Sequence, residues 1–178
     1  MGKRNRTVYN PRVENYKMVF IVEGKNDLAK TKRAIHDLVF MSERDKRPEY
    51  IKLCKEMVDF IVTDGTRFND RIRLQIDLFL HLKYKVFILT DPDHQGNHLA
   101  RTINNKYPFL PRIDLDRERC THVLESGKVR IGVEYADSKY LRNRIKRVTH
   151  SPYDFEVNRP ISRGFEVTSP LEIINAYR

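Results

Sequence analysis

The chain has 178 residues, enough for one well-buried α/β domain and a short appendage but not for two full-sized domains. Its 34 Lys and Arg against 24 Asp and Glu give a net charge of +10 and a pI near 9.7, which favours a polyanionic partner, with nucleic acid first. No apolar run approaches the ~20 residues of a transmembrane helix, and the basic start lacks a signal peptide's apolar stretch, so we expect a cytoplasmic protein.

The first third of the chain predicts a basic arm, a strand and a helix. Residues 1–16 are basic and irregular, and a continuous apolar run, KMVFIVEG, follows as a strand buried on both faces. Asp27 comes just after this run and is suited to capping a helix. The apolar side of that helix would consist of Leu28, Ala34, Ile35, Leu38 and Val39.

The middle of the chain repeats the strand-helix pattern twice. A charged segment at about 42–56 predicts an insertion, and VDFIVTDG and KVFILTDPD predict the second and third buried strands. Helical spacing extends from Asp70 to Leu82 and from Gln95 to Lys106, with Pro108 as the stop signal.

The last part of the chain predicts shorter elements. Two short strands are indicated around Arg112 to Asp114 and Thr121 to Leu124, then VRIGVEYA as a strand ending at Glu134, and a basic helix from Asp137 to Val148. Alternating strands and helices predict an α/β fold with a mainly parallel sheet and helices on both faces. We therefore expect an arm at 1–16, one domain at 17–148 and, at 149–178, a tail or the start of another module.

Acidic residues recur at the ends of the predicted strands. Glu23, Asp64, the pair Asp91 and Asp93, and Glu134 each follow an apolar run. In a parallel sheet these ends share one edge, where open α/β folds bind their ligands. Clustered carboxylates repel one another unless a cation lies among them, and hard oxygen ligands suit Mg²⁺ or Mn²⁺. The pattern predicts a metal site.

A carboxylate-held metal in a basic protein is suited to phosphodiester hydrolysis, because the ion polarises a phosphoryl oxygen and activates water. We expect Lys25 and Arg101 to contact phosphates or RNA. His94 and His98 flank the acidic pair but are more simply explained as surface residues, and we leave them out of the catalytic set. Cys54 and Cys120 lack the spacing of a zinc site and predict ordinary thiols.

Two segments, FIVEGKND and ILTDPDHQGNHLARTI, resemble the motifs of the Toprim domain in their order and in their position after apolar strands. Glu23 matches the acid of its first motif, Asp91 and Asp93 its Asp-x-Asp pair, and Gly96 the glycine that follows. The resemblance implies a Toprim, Rossmann-like fold and a divalent metal held by Glu23, Asp91 and Asp93. It covers roughly Met18 to Arg147.

More narrowly, with RIGVEYADSKYL as a third block, the chain is similar to the bacterial Toprim ribonucleases that mature 5S ribosomal RNA. This similarity implies cleavage of structured precursor RNA, assisted by the ribosomal protein that binds 5S RNA. The chain departs from that family's pattern at Asp64, where Asn is usual, and at Tyr135, where His is usual.

Alternatives remain open for the individual acids and for the function. Asp64 and Glu134 are additional acids of the site or simple turn residues, and Asp27 is more often a helix cap than a ligand. The rival functions are a non-catalytic RNA-binding or ribosome-assembly protein, and a DNA enzyme related to primases or topoisomerases. The first would bind RNA with steep salt dependence but never cut it.

Overall fold

The computed structural model describes residues 17–39, 58–65 and 68–149, together with the side chains of these residues except 37–39. The predicted arm, the charged insertion and the C-terminal tail lie outside the described residues.

A three-stranded parallel sheet forms the centre of the fold. Its strands are β1 (Met18–Val22), β2 (Val58–Val62) and β3 (Lys85–Ile88), in the order β2-β1-β3. Phe20 pairs in register with Phe60 on one side and Phe87 on the other, and the Phe20 and Phe87 rings stack at 5.3 Å. β1 is the middle strand, which explains why its last four residues are completely buried.

Helices cover both faces of this sheet. Successive side chains of a strand point to opposite faces, and because those of Val19 to Val22 are all apolar, both faces must be buried. The helices are α1 (Lys25–Val39), α2 (Asp70–His81), α3 (His94–Lys106) and α4 (Ser138–Thr149). On one face Val19 and Ile21 pack with α2 and α3, through Ile72, Ile76, Leu99 and Ile103. On the other face Phe20 and Val22 pack with α1 and α4, through Ala34, Ile35, Leu141 and Ile145. The predicted α/β fold class is confirmed.

The strands predicted late in the chain differ from those observed. Around Arg112 a single parallel bridge to Ile88 extends the sheet, instead of a full strand. VRIGVEYA does not form a strand of the parallel sheet. It contributes β5 (Val129–Ile131), which pairs antiparallel with β4 (Thr121–Val123), and then a 3-10 turn, Val133–Tyr135. The prediction that Glu134 ends a strand of the parallel sheet was therefore wrong.

Helix boundaries agree with the sequence to within a residue or two. The helix expected from Gln95 begins at His94, and the one expected to end at Leu82 ends at His81. In the described part of the chain, no helix has the length and apolar character needed to span a membrane.

Candidate functional site

Three acidic side chains lie where β1 and β3 end. Glu23 directly follows β1, and Asp91 and Asp93 follow β3, its neighbour in the sheet. The parallel arrangement therefore brings together residues that are 68 positions apart: the Asp91 backbone N–H donates to Glu23 Oε1 at 2.8 Å. All three side chains are partly buried.

Each of these carboxylates accepts one backbone hydrogen bond through a single oxygen. Asp91 Oδ1 accepts from the Val133 N–H at 2.7 Å, and Asp93 Oδ1 accepts from the Gly96 N–H at 2.8 Å as the N-cap of α3. Such bonds fix the orientation of the carboxylates. The second oxygen of Glu23, Asp91 and Asp93 accepts no hydrogen bond from the residues that the structure describes and is available for another ligand.

Gly96 makes this close approach possible. A Cβ at this position would overlap the carbonyl oxygen of Asp91 and lie 2.5 Å from Glu23 Oε1. Thr90 reinforces the junction, since its hydroxyl donates to the Gly96 carbonyl at 3.0 Å. Only glycine therefore lets α3 begin so near both strand ends.

Burial is the largest cause that raises the pKa of Asp91 to about 7, and the charges of Asp27, Glu23 and Asp93 contribute in the same direction. Burial is also the largest cause that raises the pKa of Glu23. The hydrogen bond from the Asp91 N–H lowers this pKa, whereas repulsion from Asp93 and Asp27 raises it further. The acids are thus close enough to disfavour one another's ionised forms, which a bound cation would reverse.

Asp27 connects the site to a segment far along the chain. Its side chain, 6% exposed, accepts from the Gly24 N–H at 2.9 Å and from the Glu134 N–H at 3.2 Å. Asp27 therefore does cap α1, but from the third residue of the helix, by reaching back to Gly24. Burial is also the main cause that raises its pKa, with the charge of Glu134 adding to it.

The two additional acids have different surroundings. Glu134 lies beside the site, because its own N–H and that of Val133 are held by Asp27 and Asp91. Asp64 is an exposed turn residue with φ of 48°, followed by Gly65 at φ of 125°. It follows β2, in which Val62 pairs with Val22 of β1, so it lies at the same edge of the sheet as Glu23, on the side away from β3. Its role as an additional acid of the site stays a prediction.

The structure adds one basic residue, Arg112, that was not among the predicted site residues. Arg112 donates to Asn97 Oδ1 at 2.7 Å, lies 3.5 Å from Asp114 and lowers the pKa of Glu23 through its charge. The single bridge to Ile88 places it on the far side of β3. The only signal in the sequence was the short strand predicted around it.

The predicted phosphate contacts are both exposed. Lys25 begins α1 directly after Gly24, next to the acidic edge. Arg101 is the eighth residue of α3, about 12 Å along the helix from Asp93. Arg101 would therefore reach only a substrate that extends along α3. His94 and His98 are exposed on the same helix.

The oxygen atoms of the site suit a hard divalent cation. Three carboxylates each have one oxygen that accepts no hydrogen bond from the described residues, and their negative charges repel one another. The side chains do not, however, form a complete coordination site in the part of the chain that the structure describes. Among the residues that the structure describes, no three His, Cys, Asp or Glu side chains are arranged to hold a metal ion. Metal binding at this edge requires the carboxylates to converge further.

Comparison with known proteins identifies related sequences. The model of the Toprim domain family matches residues 18–118. A solved structure, a small TOPRIM domain protein from Bacillus stearothermophilus, has 22% identity and a TM-score of 0.48, covering 75% of this chain and 90% of that one.

Several curated relatives carry the name Ribonuclease M5. The protein of Bacillus anthracis is 27% identical over 74% of this chain and 58% of its own length, and that of Bacillus subtilis is 28% identical over the same shares. The protein of Streptococcus pneumoniae is 25% identical over 85% of this chain and 69% of its own. The chain thus spans 58% of the length of the first two relatives.

Proposed function

The chain belongs to the Toprim domain family, and from this premise we propose that it is a divalent-metal-dependent endoribonuclease that cleaves structured precursor RNA. Its proposed substrate is precursor 5S ribosomal RNA, processed in the cytoplasm with the help of the ribosomal protein that binds 5S RNA. Relatives named Ribonuclease M5 support this assignment.

The observation that carries the proposal is the position of three acids at one edge of the sheet. Glu23 lies beside Asp91 through a direct hydrogen bond, and Asp93 is held two residues further on by its bond to Gly96. Each carboxylate keeps an oxygen for a ligand, and the raised pKa of Asp91 favours the arrival of positive charge. We assign Glu23, Asp91 and Asp93 as the residues that would hold Mg²⁺ or Mn²⁺.

Bound at this site, the ion would supply activation of water and stabilisation of the departing 3′ oxygen. Proton transfer and phosphate binding are assigned to side chains of the protein. Glu23, whose pKa burial raises, is also the acid that we propose moves a proton during cleavage. Lys25 and Arg112 lie next to the acids, and we propose that their positive charges bind the RNA phosphates that flank the cleaved bond.

A nuclease assay tests this function. Labelled precursor 5S RNA is incubated with the chain and Mg²⁺, with and without the 5S-binding ribosomal protein, and duplex DNA serves as control. We expect cleavage of the RNA, and we expect Asp91→Asn and Asp93→Asn to abolish it while RNA affinity is retained. Full cleavage by either variant would remove that residue from the site, and a preference for DNA would point to a Toprim DNA enzyme.

A second candidate is a non-catalytic RNA-binding or ribosome-assembly protein. It is favoured by the absence, in the described part of the chain, of three side chains already arranged around a metal position, and by the capping role of Asp93. Such a protein would bind structured RNA but leave it intact at every metal concentration in the assay above.

A further inference from the structure

A pair of stacked rings lies beside the acidic edge, one from β4 of the β4-β5 hairpin and the other from the 3-10 turn that follows β5. The rings of His122 and Tyr135 are 5.2 Å apart at their centroids and only 10° from parallel. His122 is exposed and Tyr135 is partly buried, so His122 is the outer ring and Tyr135 supports it from within.

The hairpin adds positive charge on the same face. Arg130 is the cross-strand partner of His122, and its guanidinium approaches the Tyr135 hydroxyl at 3.5 Å. Side chains opposite each other in an antiparallel pair lie on one face of the ribbon. The other face carries Val123 and Val129, which are 61% and 54% exposed, so the two faces differ in chemistry.

The stacked rings are connected to the acidic edge by hydrogen bonds of the two residues just before Tyr135. Tyr135 is two residues from Val133, whose N–H donates to Asp91, and therefore its Cα lies within about 8 Å of the Val133 Cα. Asp27 also holds the Glu134 N–H between them. The ring pair is thereby fixed in position relative to the acidic edge instead of depending on the hairpin alone.

We propose that His122, supported by Tyr135 and flanked by Arg130, is a stacking site for one unpaired nucleotide of the RNA next to the cleavage position. A base stacks on a flat exposed ring, and an arginine beside the ring neutralises the nucleotide's phosphate. Duplex RNA offers no such base, because its bases are already stacked. This inference rests on the proposed function, since it names the part of the substrate that this end of the site recognises.

The test compares two labelled RNAs, a blunt duplex and the same duplex with an unpaired overhang, by fluorescence anisotropy in EDTA so that no RNA is cut. We expect His122→Ala to weaken binding of the overhang RNA by about 5- to 150-fold, the range for loss of one stacked base, and to leave blunt-duplex binding unchanged. His122→Phe should restore the overhang affinity, because it keeps a ring at that position.

Val123→Ala is the matched control, since it removes an exposed side chain from the opposite face of the same hairpin. It should change neither affinity. Equal losses on both RNAs with His122→Ala, or no loss on either, would overturn the stacking site. Because the assay measures binding without metal, a loss confined to the overhang RNA supports the inference even if the chain proves not to cut RNA.

Discussion

Gly96 is the residue on which the close contact between α3 and the strand ends depends. A methyl group at this position meets a backbone oxygen that cannot move aside, as well as the Glu23 carboxylate. We expect Gly96→Ala to lower the free energy of unfolding by about 1–3 kcal/mol, as overpacking does, and to impair any metal-dependent cleavage. Thermal or urea unfolding measures the first effect. Gln95→Ala, one residue earlier and exposed, should be close to neutral; equal effects of both variants would contradict this account.

Asp91 makes stability depend on pH. Its pKa rises from 3.8 to about 7 on folding, so its contribution to stability is complete below pH ~4 and declines as the pH rises towards 7. Asp91→Asn is neutral at every pH and keeps an oxygen that accepts the Val133 N–H. In EDTA, we expect the melting temperature of this variant to exceed that of the parent by a few degrees at pH 8 and by less at pH 5. Parallel curves for the two chains between pH 5 and 8 would show that Asp91 does not titrate in this range.

The 3-10 turn Val133–Tyr135 joins the hairpin to the sheet. It is held by hydrogen bonds to two carboxylates from different elements, Asp27 in α1 and Asp91 after β3. The turn is therefore part of the site, although it belongs to no strand of the parallel sheet. Its conformation sets the positions of both Glu134 and the Tyr135 ring that stacks on His122.

We expect Asp27→Ala to release this turn, because it leaves the N–H groups of Gly24 and Glu134 without their acceptor. A buried N–H left unpaired costs about 1–3 kcal/mol, and because both hydrogen bonds are only partly buried we expect a loss near the lower end of that range for each. Hydrogen exchange should show faster exchange of the Glu134 amide in the variant. As a control, Asn69→Ala removes the N-cap of α2 and should cost about 1 kcal/mol without changing exchange at Glu134. Unchanged protection of Glu134 in Asp27→Ala would mean that the turn is held by other contacts.

For the whole molecule, the net charge of +10 predicts RNA binding dominated by phosphate contacts. We expect the logarithm of the association constant to fall linearly with the logarithm of salt concentration, by about 0.7 to 0.9 for each neutralised phosphate. Anisotropy titrations between 50 and 200 mM salt, roughly the range in which such slopes are measured, would give the number of phosphates. A flat dependence would exclude charge as the source of affinity.

Sequence alone determined the parallel sheet, its helices and the three acids at its edge. Apolar runs bounded by acids and glycines indicate buried parallel strands. Because parallel strands run in the same direction, their carboxyl ends lie at one edge of the sheet. This local pattern was sufficient to identify the Toprim family and to single out Glu23, Asp91 and Asp93. Their catalytic roles stay predictions.

Which other residues join these three acids depends on how the chain packs in three dimensions. Asp27 and Glu134 meet across 107 positions, Arg112 approaches Glu23 from beyond β3, and Asp64 lies in the exposed turn after β2. None of these relations has a local period or motif, because each depends on how separate segments pair and pack against the sheet. Contacts between segments that are distant in the chain are set by packing and hydrogen bonding in the assembled fold, and no single segment encodes them.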